Sequence, residues 1–172
     1  QRQMCIRDSL QILPMNHLGP DVPHVGLVMV ALMLVRSVGH VRLGSDDPRV
    51  DPLVDFSMLT DEADARRLRI GVDRLMQVLE HPAMKALGTV MAPPADLTGI
   101  RANLGDYVHA AGTCALGTVV DPECRVIGYE GLRVCDASVM PDLPRANTHF
   151  TTVVIAEKLA SMMRGQGAMT GA

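Results

Sequence analysis

The sequence is poor in aromatic residues, which make up 2% of its 172 positions: two Tyr, two Phe and no Trp. Too few flat side chains are left for bases to stack on, so a single-stranded nucleic-acid platform is excluded. An excess of one charge is also lacking. Sixteen Lys and Arg against nineteen Asp and Glu leave a net charge of −3, which is no electrostatic footprint for nucleic acid or an anionic membrane surface. The longest apolar run, Val25–Val35 (VGLVMVALMLV), has eleven residues, where about 18 are needed to span a bilayer. It lies behind Pro20 and Pro23, away from the amino terminus, and makes a poor signal-peptide core. A buried strand or strand pair is the better reading, and no membrane segment is expected. Cys5, Cys114, Cys124 and Cys135 form no C-x-x-C pair, which argues against a zinc knuckle and gives no disulfide framework. Reduced thiols in a cytoplasmic protein are expected, with peripheral membrane association of a longer protein left open. The six histidines lack H-E-x-x-H and H-x-H spacing, so no metal site is expected.

What is present is a hydrophobic content of 48%, enough to bury one ordinary core or parts of two. Twelve Met residues make that core soft and adaptable. The first nine residues, Gln1–Ser9 (QRQMCIRDS), neither begin with Met nor blend into the residues after them. They read as translated adapter sequence, are expected to be non-native, and imply that the natural chain extends upstream.

From Val25 to Phe56 the pattern is strand-like. Leu27–Val35, His40–Leu43 and Val50–Phe56 are separated by Ser37 and Gly39 and by the turn residues Gly44–Pro48, which predicts an antiparallel meander. Thr60 is placed to cap a helix with Asp61, Glu62 and Asp64 in its first turn and an apolar stripe at Leu68, Val72, Leu75, Met76 and Leu79. Pro82 ends it. Short helices are expected at Ala83–Leu87 and around Asp96–Leu104, on either side of the Pro93-Pro94 pair. From Tyr107 onward Gly-rich loops alternate with short apolar stretches, among them a strand at Leu132–Cys135. A last helix is expected over about Thr148–Arg164, with Phe150, Val154 and either Ile155 or the neighbours of Glu157 on its core face and Gly165 as its C-cap. The break between two structural units falls at about residues 92–110.

Two segments carry residue types suited to chemistry. His109-Ala-Ala-Gly112-Thr113-Cys114 sets a histidine before a tight turn. Gly131–Pro141 (GLRVCDASVMP) delivers Asp136-Ala137-Ser138 at the end of a short strand, and Pro144–Thr148 then brings Asn147 to the start of a helix. Ligands of α/β proteins sit where strands end and helices begin. A neutral imidazole can take a proton from a hydroxyl near neutral pH, and an amide can hold the same oxygen without competing for that proton. Each residue also has a plainer reading. His109 can be a satisfied core histidine, Asn147 only an N-cap, Asp136 a loop cap, and Cys114 and Cys135 packing residues.

These segments, HAAGTCALG, VVDPECRVIGYEGLRVCDASVMP and NTHFTTVVIAEKLA, resemble the carboxy-terminal signature of the glucose-methanol-choline (GMC) family of FAD-dependent oxidoreductases, the choline and alcohol dehydrogenase branch above all. The region from Gly39 through the helix at 60–80 resembles the same family's substrate domain more loosely. The resemblance implies an α/β fragment of α+β character. Residues 10–105 would belong to an antiparallel-sheet substrate domain with helices, and residues 106–172 would carry the active-site segment and the carboxy-terminal return of an FAD/NAD(P)-binding-like domain. It implies oxidation of a small-molecule alcohol at its CH–OH group, with FAD as cofactor and oxygen, a quinone or another carrier as electron acceptor. His109 matches the active-site histidine and Asn147 the second active-site position. Asp136 and Ala137 match a segment that packs on FAD. Asn147 and Thr148 match the helix start facing the flavin, where about +0.5 charge at the helix amino terminus favours negative charge. His149 matches no family role and is read as a structural or pocket-wall residue. Ala110-Ala111 stands where Pro-Val is frequent and Thr151 where Pro is common, which bears on substrate preference. The family's G-x-G-x-x-G is not in the chain; Gly112 to Gly117 is G-x₄-G without Lys, neither a dinucleotide fingerprint nor a P-loop. Two other function classes stand beside this one. They are a non-catalytic binding domain on the same scaffold and a metal hydrolase using His109, Asp136 and His149, the latter disfavoured by ligand spacing.

Overall fold

The computed structural model describes residues 10–15, 24–92 and 94–169, with side chains described as far as Gly165. The adapter reading of Gln1–Ser9 and the roles given to Pro20, Pro23 and Pro93 lie outside the described residues. The elements run β1 (Leu10–Met15), β2 (Leu27–Leu32), β3 (His40–Arg42), β4 (Leu53–Asp55), α1 (Glu62–Leu79), α2 (Pro82–Lys85), α3 (Leu97–Ala102), a single 3₁₀ turn (Ala137–Val139) and α4 (Thr148–Met169). This is a mixed fold of helices and small antiparallel sheets. Its chain divides into two compact units, one of residues 1–39 and 54–106, the other of residues 40–53 and 107–172. Among the described residues no helix is long and apolar enough to cross a membrane.

The strands do not form the expected meander. β2 pairs antiparallel with β1, from Leu10 opposite Leu32 to Met15 opposite Leu27, and β3 pairs with β4 as a separate two-stranded sheet. The reason lies between β2 and β3. The Arg36 and Ser37 backbone N–H groups and the Ser37 hydroxyl all donate to Asp64 Oδ2, at 2.8, 2.7 and 2.8 Å. Donors committed to a side chain are not free for a ladder, so the sheet is interrupted there. Asp64 itself is fully buried, with the Arg67 guanidinium 3.5 Å from its other oxygen.

In the first unit α1 packs on β1 and β2. Leu59, Ala65, Leu68 and Ile100 form the buried core, with Val30, Leu32, Val72 and Leu104 packed against it. Gly71 permits the close approach: a Cβ there would lie 2.6 Å from Val30 Cγ1. Asp61, not Thr60, caps α1, accepting from Ala63 N at 2.7 Å, while the Thr60 hydroxyl donates back to Ser57 O. His81 caps α2 with Pro82 in its first turn, and Asp96 caps α3.

In the second unit much of the chain is loop, held by isolated bridges between Leu116 and Val120, Val120 and Val126, and Arg125 and Arg133. The expected strand at Leu132–Cys135 is reduced to the Arg133 bridge, because left-handed Gly128 and Gly131 turn the chain tightly before it. Val120, Cys124, Val139 and Leu159 are buried together, with Leu116, Val126, Val134 and Ile155 packed around them. The core face of α4 is therefore Thr148, Ile155 and Leu159. Phe150 and Val154, expected inside, are 80% and 66% exposed. Apolar residues on several sides of α4 leave sequence periodicity no basis for choosing a face. Nor does α4 stop at Gly165; it continues to Met169, since a helical glycine costs only about 1 kcal/mol.

The turn at Asp121 is tied by its own carboxylate, which accepts from Glu123 N (2.8 Å), Arg125 N (2.9 Å) and Arg125 Nε (2.8 Å). The Arg125 side chain, followed by the backbone N–H groups, holds the Asp121 carboxyl below its ordinary 3.8. A carboxyl lowered by folding contributes stability in full above its unfolded value and loses it as pH falls through the folded one. The Glu123 and Arg125 amide resonances are therefore expected to titrate with a midpoint below 3.8, and Asp121→Asn should abolish that titration. A midpoint at or above 3.8 would show that the contacts do not hold the charge.

Candidate active site

The five residues singled out from sequence, His109, Asp136, Ala137, Asn147 and Thr148, all fall in the second unit. Two contacts organise them. Gly112 N, Cys114 N and Leu116 N donate to Ala137 O, Ser138 O and Val139 O at 3.3, 2.8 and 3.0 Å, so the loop segment leaving His109 is zipped to the Asp-Ala-Ser turn. That turn in turn packs on α4. Gly112 has φ +88°, and a Cβ there would meet Met140 O at 3.3 Å, so the zipper needs glycine at this point.

His109 is partly buried and sits at the end of a strained backbone. Val108, β-branched, has φ +51°, a left-handed conformation that costs of order 1–3 kcal/mol and clusters at functional sites. His109 Nδ1 lies 3.1 Å from Val108 O. A carbonyl oxygen only accepts, so in the neutral tautomer that donates from Nδ1 to Val108 O, Nε2 carries the free lone pair. Nε2 is buried and has no hydrogen-bond partner. The Tyr107 ring meets the imidazole edge-on, with centroids 4.9 Å apart. Tyr107 and Val108 are positions that sequence reasoning does not mark as functional. A residue that ordinarily avoids positive φ gives no sign in sequence that it adopts it.

Asp136 caps the 3₁₀ turn: its Oδ1 accepts from Ser138 N at 2.8 Å and also from the Ser138 hydroxyl. Ala137 is the first residue of that turn and is half-buried. Thr148 is buried at the head of α4, where its carbonyl accepts from Thr152 Oγ1 at 2.9 Å. Asn147 precedes it, exposed, and the N-cap hydrogen bond expected of its amide is not among the bonds of the described residues. The amide is thus not committed to the helix. His149 is exposed and stacks edge-on with Phe150, centroids 5.5 Å apart. Among the described residues no three His, Cys, Asp or Glu side chains are grouped to hold a metal ion. The chemistry the arrangement offers is acid–base: a buried imidazole nitrogen with an open lone pair, and an uncommitted amide at a helix head.

The profile described as "GMC oxidoreductase" matches residues 35–156. The oxygen-dependent choline dehydrogenase of Shigella flexneri is 35% identical over 153 residues, covering 82% of this chain and 28% of that protein. A fungal aryl-alcohol oxidase superposes with a TM-score of 0.70 at 31% identity, over 82% of this chain and 25% of the other. An FAD-dependent oxidoreductase from Chaetomium thermophilum superposes with a TM-score of 0.72 at 25% identity, over 86% and 30%. Matches over this much of the chain, in sequence and in fold, define a segment of an oxidoreductase. The chain belongs to the GMC oxidoreductase family. It spans little more than a quarter of the length of the curated relatives it matches.

Proposed function

We propose that the full-length protein oxidises the CH–OH group of a small-molecule alcohol, with FAD as cofactor and this chain supplying the acid–base residues. The observation that carries the reading is His109 Nε2, a buried nitrogen with a free lone pair and no partner in the fold. A buried polar atom left unpaired costs about 1–3 kcal/mol, and a hydroxyl donor held against it removes that cost. The bare imidazole nitrogen fits an alcohol placed at the reactive end of a flavin. FAD, when bound, accepts the hydride.

In this mechanism His109 Nε2 accepts the hydrogen bond of the alcohol hydroxyl and then its proton, while Val108 O keeps the Nδ1 proton in place. Asn147 donates its amide N–H to the same oxygen and steadies the negative charge that develops there. Ala137 and the Asp136-capped turn would form a wall for FAD, and Asn147 and Thr148, at the amino terminus of α4, would lie beside it. That terminus favours negative charge. The names of the relatives, a choline dehydrogenase and an aryl-alcohol oxidase, make choline and benzyl alcohol the first substrates to try. Flavin absorbance of the full-length protein that bleaches on anaerobic addition of either supports the reading. A protein that neither carries nor takes up FAD overturns it. Oxygen uptake compared with quinone reduction then assigns the acceptor.

Asn147→Ala is expected to slow that bleaching by roughly 10–100-fold, the worth of one hydrogen bond to a developing charge. Its thermal midpoint should be unchanged, because the amide makes no bond that the helix would lose. Equal stopped-flow rates for variant and parent would reduce Asn147 to a structural residue.

A further inference from the structure

Cys124 and Cys135 lie apart in sequence and side by side in the fold. Arg125 and Arg133 form an antiparallel bridge, Val126 N donates to Leu132 O at 3.0 Å, and Val134 N donates to Cys124 O at 3.0 Å. Hydrogen-bonded antiparallel partners are about 5.5 Å apart at Cα, and one step along the strand adds about 3.4 Å, so Cys135 Cα stands on the order of 6.5 Å from Cys124 Cα. That is inside the range of about 4.4–6.8 Å that a disulfide spans. In a regular ladder the two side chains would face opposite sides. Cys124 breaks the alternation with φ +58°, which takes its side chain out of the ladder's alternating pattern, and Cys135 is near enough to push the Cys124 thiol up. Cys124 is 5% exposed and Cys135 is exposed, so one thiol is reachable and the other shielded behind it.

We propose that Cys124 and Cys135 are a redox pair that closes to an intramolecular disulfide on meeting a low-molecular-weight disulfide oxidant. The exposed Cys135 thiolate attacks one sulfur of the oxidant; the oxidant's S–S bond breaks, and the thiolate released takes up the Cys135 proton. Cys124, losing its own proton, then attacks Cys135 sulfur and displaces the second half of the oxidant as a thiol. Two protein thiols are oxidised by two electrons, and one small disulfide is reduced to two thiols. The bond ties the Asp121 turn to the residue before Asp136. Burial pushes the Cys124 thiol up, Cys135 and Asp121 add to this, and Arg133 opposes it. The closing step therefore needs a thiolate that is scarce at neutral pH, and it speeds up as pH rises.

The test uses the folded full-length protein incubated with oxidised glutathione, then unfolded in denaturant containing the alkylating agent so that buried thiols also react, and cut with trypsin, which separates the two cysteines at Arg125 and Arg133. The expected result is loss of both alkylated peptides and recovery of one linked peptide, reversed by dithiothreitol, with Cys114 still alkylated. The link forms faster at higher pH, is abolished by Cys135→Ser, and survives Cys114→Ser. Glutathione held on Cys135 with Cys124 free, or two unreacted thiols, would overturn the proposal.

Discussion

Replacing His109 with alanine in the full-length protein is expected to lower alcohol turnover by about 10²–10⁴-fold, the usual worth of a positioned acid–base group. Flavin content and unfolding midpoint should hardly move. The two expectations share a cause. Nε2 makes no hydrogen bond within the fold, so truncating the ring leaves no buried partner unpaired, while the reaction loses its proton acceptor. The Nδ1 contact to Val108 O is local and leaves a carbonyl that water can satisfy. Steady-state turnover read beside flavin absorbance separates the outcomes. Turnover within a few-fold of the parent would remove His109 from the chemistry. Loss of the flavin with the activity would recast it as a residue that holds the cofactor site together.

Asp64→Ala is expected to be the most damaging substitution for stability, costing about 3–5 kcal/mol, the scale of breaking a buried charged network. Three donors, the Arg36 and Ser37 amides and the Ser37 hydroxyl, converge on one carboxylate oxygen. Their loss strands part-buried donors at about 1–3 kcal/mol each, and the Arg67 guanidinium loses its partner of 3.5 Å. Asp64→Asn keeps an acceptor oxygen and should cost less. Asp73→Ala, which breaks the Arg69–Asp73 pair on the exposed face of α1, should fall within about 1 kcal/mol of the parent. Urea unfolding of the three variants orders them. A loss under about 1 kcal/mol for Asp64→Ala would mean that the network holds little of the β2–α1 junction.

Residues whose signal is local were legible. α1 is set by its apolar stripe and acidic first turn, α3 by the helical stretch after the Pro93-Pro94 pair, and the His109 and Asp136 segments by spacing that also matches the family. Each depends on neighbours within a turn or two of chain. The errors arise where two local choices are equally good or where a distant residue decides. Thr60 and Asp61 are adjacent and both good caps, and the role went to the one whose oxygen reached Ala63 N. Phe150 and Val154 are expected inward on α4, whose low amphipathicity leaves several faces equally apolar. The meander failed because β2 pairs with β1 instead of β3, and Asp64, far along the chain, holds the Arg36–Ser37 link that separates β2 from β3.

The sequence by itself determined the family of the molecule and the residue types it offers for chemistry. An imidazole at 109, an amide at 147 and a capped Asp-Ala-Ser turn at 136–138 are chemical facts that no packing alters, and their order is that of the family. Only the tertiary structure decided what those groups are free to do. It left His109 Nε2 buried without a partner and, among the described residues, left the Asn147 amide uncommitted. It also set Cys124 against Cys135 across a bridge that spacing alone does not reveal. The physical reason is that a side chain's chemistry belongs to its covalent structure, whereas the partners that consume or spare it come from chain segments brought together only by folding.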